Sequence, residues 1–293
     1  MVNLSGEVVG TVPTPTDGSG NSGVGLHHVW VADGHSLTFY GASGTKLATD
    51  AFSDAPFSSP PVFSADGSHW VWSYSPSQAN LQRGGTTTIY MGTQTSQMTP
   101  VATHTESVGT RLTPIAWANG RVYLTEYVVV GGGRIAFSVG TGAWSLDPSS
   151  GALAQLAASC HLQDVASDGS LLCIQKQLLT VVHPGGGTSA LLFTGSWDQT
   201  GGARFSADGR KVVASAVSFQ ASTSVGATFM GNATGGSMEK VADAVFGLYF
   251  FPDGRFLART SAGWVVENQN GTKSALPLPD ADTVLAVLAD PAD

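Results

Sequence analysis

Charge is scarce in this sequence. Only 12% of its 293 residues are charged, and Asp and Glu outnumber Lys and Arg by 21 to 13, for a formal net charge of −8. Such a chain lacks the basic face that nucleic acid or an anionic membrane surface requires, so neither is expected as a partner. Long apolar runs are missing too. The longest is about AVFGLYFF, residues 244–251, too short to cross a bilayer, so no membrane insertion is expected. No cationic segment followed by an apolar one opens the chain. The chain is therefore expected to be either cytosolic or a mature or truncated form that begins at an added Met1. Apolar residues at helical spacing are absent, and 37 glycines are present. That balance excludes amphipathic helices and suits short strands joined by tight turns, an all-β fold.

The chemistry-bearing motifs are equally sparse. There is no HExxH or HxH, and no GxSxG nucleophile elbow. The seven His are scattered (His27, His28, His35, His69, His104, His161, His183). Adjacent strand residues such as His27 and His28 point to opposite faces. No metal and no cofactor is expected. The glycine-rich stretches at 131–133, 185–187 and 200–202 lack a strand-to-helix context and read as loops. Cys160 and Cys173 are the two cysteines. A turn centred on Asp168-Gly169 sets them about four residues out of register, roughly 13 Å along a strand, whereas bridged Cα atoms lie within about 7 Å. Two buried thiols are the first expectation, and a bridge requires the chain to curl at Cys160.

What the sequence does have is a repeated turn. FSADGRKVVAS (205–215) recurs as VFSADGSHWVWS (62–73), IAWANGRVYLT (115–125), DVASDGSLLCI (164–174) and YFFPDGRFLAR (249–259). In each, an apolar run ends in Asp-Gly or Asn-Gly and a second apolar run begins at once, the strongest local signal for a two-residue hairpin turn. The anchors Asp66, Asn119, Asp168, Asp208 and Asp253 stand 40 to 53 residues apart, the period of propeller blades. The expectation is a six-bladed β-propeller with four-stranded antiparallel blades. Residues 1–23 read as a flexible tail rich in Pro, Thr, Gly and Ser, and 24–293 as the single propeller. The first blade takes residues 26–32 as its second strand and lacks an inner one. The C-terminal strand, residues 282–290, is expected to supply it and close the ring.

The turn sequences FSADG, ASDG and FPDG resemble the TolB-type repeat, a relative of the WD40-like repeats, over roughly residues 26–290. The resemblance implies a six- or seven-bladed propeller of the kind found in periplasmic scaffolds, in non-catalytic domains of some serine peptidases and in a few polysaccharide lyases. It specifies architecture rather than activity.

Two further features carry function. Asp164 and Arg204 stand four residues before successive anchors and are expected to pair across a blade interface, because buried charges are rarely left alone. The loops opposite the Asp-Gly turns are uneven, long at 74–85, 128–142 and 218–226 and almost absent in the fourth and sixth blades, with the connections 52–60, 104–111 and 195–201 on the same face, and long loops in compact folds are commonly functional. That face offers an aromatic and Arg set, Trp197, Tyr74, Arg83, Arg111, Arg134 and Phe137, suited to a protein or glycan partner. The functional expectation is a monomeric, non-catalytic binding or scaffolding module, extracytoplasmic by its linker and its Lys-poor, Gly/Ser/Thr-rich composition. The alternative is a propeller enzyme of the polysaccharide lyase, glycosidase or sugar dehydrogenase type with its site at the channel mouth.

Overall fold

The computed structural model describes residues 10–12, 21–24, 29–32, 36–41, 43–51, 60–74, 84–93, 96–129, 137, 139–175, 178–219, 224–251, 254–260, 263–268 and 272–276. Every regular element among them is a strand. The first sheet is the meander β1 (Asn21–Val24), β2 (Val29–Ala32), β3 (Ser36–Tyr40) and β4 (Lys46–Ala51). The second is β5 (Val62–Phe63), β6 (His69–Tyr74), β7 (Gly85–Thr93) and β8 (Ser96–Glu106), and the third β9 (Thr110–Ala118), β10 (Arg121–Val128), β11 (Val139–Leu146) and β12 (Leu153–Ala158). Next come β13 (His161–Val165), β14 (Leu171–Gln175), β15 (Leu178–Val182) and β16 (Thr188–Phe193), then β17 (Gln199–Phe205), β18 (Lys211–Phe219), β19 (Ser224–Asn232) and β20 (Gly236–Ala242). These two meanders form one eight-stranded sheet, because β16 pairs in parallel with β20 through Leu191–Phe193 and Gly236–Met238. The last sheet is β21 (Leu248–Phe250), β22 (Phe256–Thr260), β23 (Gly263–Glu267) and β24 (Lys273–Leu276). The arrangement is propeller-like. The join between β16 and β20 departs from the expectation of six separate blades.

The core lies between neighbouring sheets, which is why both faces of the inner strands are apolar. Trp30, Leu37 and Phe39 of the first sheet meet Trp70 and Trp72 of the second, all buried. Val71 and Ile89 meet Leu112, Val122, Leu124 and Leu146. The largest cluster fills the eight-stranded sheet, from Leu172 and Leu179 to Phe229 and Met238. That sheet is tied on its other side as well. Arg204 Nη1 donates to the Gln163 carbonyl at 2.7 Å, and the Phe205 N–H donates to Asp164 Oδ2 at 2.7 Å. The expected Asp164–Arg204 ion pair does not form: each side chain is bonded to the other strand's backbone instead. Burial pushes the Asp164 carboxyl up, and the Arg204 charge partly offsets this. A carboxylate held by two backbone N–H groups, those of Phe205 and Val165, needs no direct ion pair to be satisfied.

The repeated turns have more than one form. Among the described residues, Asn119-Gly120 makes the expected two-residue turn, with φ of 52° and 71° and Ala118 opposite Arg121, the type I′ geometry that Asn-Gly favours. The FSADG turns are wider. Ser206 N–H bonds the Lys211 carbonyl and Gly209 N–H bonds Ser206. The Ser206 Oγ donates to Asp208 at 2.6 Å and accepts the Lys211 N–H at 2.9 Å. Ser64, Asp66 and His69 repeat this set. These bonds hold the Asp66 carboxyl well below the usual range and lower that of Asp208. At 166, Ala replaces the Ser, and the loop closes one residue earlier, Ala166 N–H to the Ser170 carbonyl.

Two closures differ from expectation. The inner position of the first sheet, expected for residues 282–290, is occupied by β1, with Asn21 opposite Ala32 and Val24 opposite Val29. A local hairpin costs far less loop entropy than a strand brought from the far end of the chain. Residues 282–290 lie outside the described residues. Cys160 and Cys173 are bonded, with Cα atoms 5.2 Å apart. The offset expected from a two-residue turn is reduced by the additional loop residue between Ala166 and Ser170 and by the irregularity between Leu162 and Asp164. Ser159, at φ 60°, curls the chain so that Cys160 turns toward β14.

Candidate functional site

The face opposite the Asp-Gly turns is shaped by strand length. β10 and β11 are eight residues long and β18 and β19 nine, whereas β14 and β15, between them in the chain, are five. Two loops are shorter than expected. β18 and β19 stay paired out to Phe219 and Ser224, leaving only residues 220–223 between them, and the third sheet's loop shrinks to 129–138 because β11 begins at Val139.

That loop reaches a distant strand. The Phe137 N–H donates to Gln199 Oε1 at 3.3 Å, and the Phe137 ring lies over Gly201 of β17. Phe246, in the turn between β20 and β21, lies over Gly202. The two rings meet edge to face with centroids 6.2 Å apart. Residues 200–202 are therefore strand rather than loop, and their glycines are seats. A methyl group on Gly201 or Gly202 would collide with the ring above it. Gly202 also holds φ at 59°, which glycine adopts at no steric cost. Phe246 is 51% exposed and itself sits at φ 53°, anchored where its N–H bonds Ser215 Oγ at 2.9 Å. Val245 approaches Gly226 beside it, and Val139, Val225 and Val245 are exposed. The result is an apolar, aromatic surface anchored on backbone that has no side chain to yield.

The other expected residues are spread more widely. Trp197 lies two residues before Gln199. Its indole N–H donates to the Thr194 carbonyl at 2.9 Å, and its ring meets Phe229 edge to face at 5.4 Å, so it is half-buried against the core. Phe137 and Trp197 thus share one strand start. Tyr74 ends β6, packed on the tryptophan cluster of the first two sheets. Arg111 lies on β9, half-buried, with Glu106 as its neighbouring charge. Arg83 and Arg134 lie outside the described residues. Among the described residues, no three His, Cys, Asp or Glu side chains come together to hold a metal ion, and no helix is long and apolar enough to cross a membrane. Sequence reasoning missed Phe246, whose only signal is the Gly-Gly pair beneath it, legible once the pair is known to be strand.

No family model matches the sequence, and no curated protein does. Solved structures do. A protein from Agrobacterium tumefaciens assigned to TolB matches with a TM-score of 0.51 at 16% identity, over 73% of this chain and 76% of that one. The fold is a β-propeller like that of TolB. A virginiamycin B lyase from Staphylococcus aureus matches at TM-score 0.50 and 12% identity, over 93% of this chain and 86% of that one. An acylaminoacyl peptidase from Pyrococcus horikoshii matches at 0.54 and 10%, over 90% of this chain but 44% of that one. At such identities the likeness concerns the propeller fold alone, which hosts unrelated functions.

Proposed function

We propose that this propeller is a non-catalytic binding module that takes a protein partner on the face bearing Phe137 and Phe246. The observation that carries the reading is the aromatic pair seated on Gly201 and Gly202, half-buried Phe137 and exposed Phe246, bordered by exposed Val139, Val225 and Val245. Rigid aromatic anchors on preformed backbone lose little entropy on binding and are typical interface hot spots. An apolar border of this kind favours a protein over a glycan. In the same reading the eight-stranded sheet is two blades joined at their rims, and the six meanders form one six-bladed ring that acts as a monomer. The Cys160–Cys173 bridge supports an extracytoplasmic setting, where disulfides persist. The TolB-like fold supports a periplasmic scaffold role.

The test is photocrosslinking from position 246 in the native host, followed by titration of the captured protein in purified form. Phe246→Ala is expected to weaken its binding by on the order of tenfold or more, and Trp197→Ala less, because that ring is half-buried. Asp208→Ala, on the opposite face, should leave affinity unchanged. An Asp208 effect with none from Phe246 means the wrong face is chosen. Turnover of a polysaccharide or sugar without any captured protein replaces the module with the enzyme reading.

A further inference from the structure

We propose that the outer edge of β12 receives an extended segment of a partner protein, which pairs with it as a fifth strand of the third sheet. β12 ends the strand order of that sheet, and among the described residues no strand pairs with its far side. Such an edge presents backbone N–H and C=O groups ready to pair, and folded proteins commonly guard it with charge, proline or a cover. The other outer strands are guarded. β4 opens with Lys46 and β24 with Lys273, while β8 contains Pro100, His104 and Glu106. Gly151 also lies against the Val101 carbonyl of β8. β16 and β20 cover each other through Leu191–Phe193 and Gly236–Met238. β12, with the sequence LAQLAA, has neither charge nor proline.

The side chains beside this edge are apolar as well. Ala154, Gln155, Leu156 and Ala158 are exposed, Leu156 at 44%. Leu178 of β15 and Leu192 of β16 are 43% and 53% exposed. Thr180 pairs with Ala190, so Leu178 and Leu192 come opposite each other further along and share a face. That face also carries Val182, because alternate strand residues point the same way. Val182 packs with Ala157 of β12 on one cluster around Cys160 and Cys173, so the two leucines look toward the third sheet. Single exposed leucines need no explanation, but three beside one bare strand mark an interaction site. The occupant follows from what is offered. Bare backbone is satisfied by an added strand, not by a helix. The β15–β16 hairpin stands over one side of the edge and admits a single segment rather than a second folded sheet. The segment's side chains toward Leu178 and Leu192 are apolar, and those on its other side, facing water, are polar. With no charge on β12 to complement, the pairing responds little to salt. This edge is separate from the Phe137–Phe246 surface, and the inference does not rest on that reading.

The probe is a labelled peptide of alternating Val and Ser, as long as β12, titrated against the full chain by fluorescence anisotropy, with hydrogen exchange read at β12. Saturable binding is expected, slowing exchange of the β12 amides that point away from β11 and leaving β18 amides unchanged. The same peptide N-methylated at its two central residues keeps its side chains but loses two donors, and should bind about tenfold more weakly. Leu156→Lys and Leu192→Ser, both at exposed positions, should each weaken binding several-fold. If either fails to fold, the two peptides compared on wild type carry the test. The proposal is overturned if no saturable binding occurs, if the two peptides bind alike, if β12 exchange is unaffected, or if Phe246→Ala abolishes binding while Leu156→Lys does not. Self-association of the wild type that Leu156→Lys removes would give the edge to a second copy and overturn it too.

Discussion

Ser206 shows how much one buried hydroxyl does in this repeat. Its Oγ accepts the Lys211 N–H and donates to Asp208, so the turn's apex and the following strand are tied through a single atom. Ser64 does the same for Asp66 and His69. An Asp in such a turn also accepts the N–H two residues on, as Asp208 does from Arg210 at 3.0 Å. These carboxylates ring the face singly and serve turns. Replacing Ser206 with Ala strips the Lys211 N–H of its side-chain acceptor. Ser206→Ala is therefore expected to cost about 1–2 kcal/mol, read as a lowered urea midpoint with unchanged slope. A wild-type midpoint would show that water replaces the hydroxyl without loss.

At the scale of elements, the β13–β14 hairpin is held more firmly than its five-residue strands alone allow. The Cys160–Cys173 bridge spans 13 residues, and closing a loop near 15 residues restricts the unfolded chain by about 3 kcal/mol. The double substitution Cys160→Ser/Cys173→Ser should lower stability by about 2–3 kcal/mol, and reductant should do the same to the wild type while leaving the double variant untouched. Equal stability of oxidised and reduced wild-type protein would refute this. The bridge also backs the strand start where Gly140 presses against His161, beneath the loop that carries Phe137.

For the whole molecule, the question is how the sheets are kept from opening. A cluster of buried apolar residues stands between each pair of neighbouring sheets from the first to the eight-stranded one. The first sheet's inner edge is covered by β1, whose pairing satisfies Val29 to Ala32. Removing residues 1–24 would leave that edge bare, and an unpaired edge invites pairing with a second chain. The truncated protein is expected to melt at least several degrees lower and to elute partly as larger species in size-exclusion chromatography. Deletion of residues 282–293 is the comparison: a greater loss there would make the C-terminal strand the stronger closure.

The repeat was legible in the sequence because each unit needs the same turn chemistry and the same two-faced apolar strands, and both are local properties. The all-β class, the second-to-fourth strands of the first sheet and the propeller-like arrangement follow from residues read in order. The exact turn was less legible, since Ser64 and Ser206 widen it by a contact five residues on, whereas Asn119-Gly120 keeps the two-residue form. Long-range relations were invisible for a stronger reason. Whether Cys160 reaches Cys173 depends on a register irregularity and on the curl at Ser159. Whether β16 joins β20 depends on how two meanders splay. Whether Phe137 meets Phe246 depends on two glycines more than 40 residues away from one of them in the chain. The sequence by itself determined the periodic unit, its turns and its apolar faces, because these rest on backbone geometry within a few residues. Only the tertiary structure decided which edges pair, which charges face each other at the seams and which aromatic rings stay exposed, because those contacts arise where separate units are packed together.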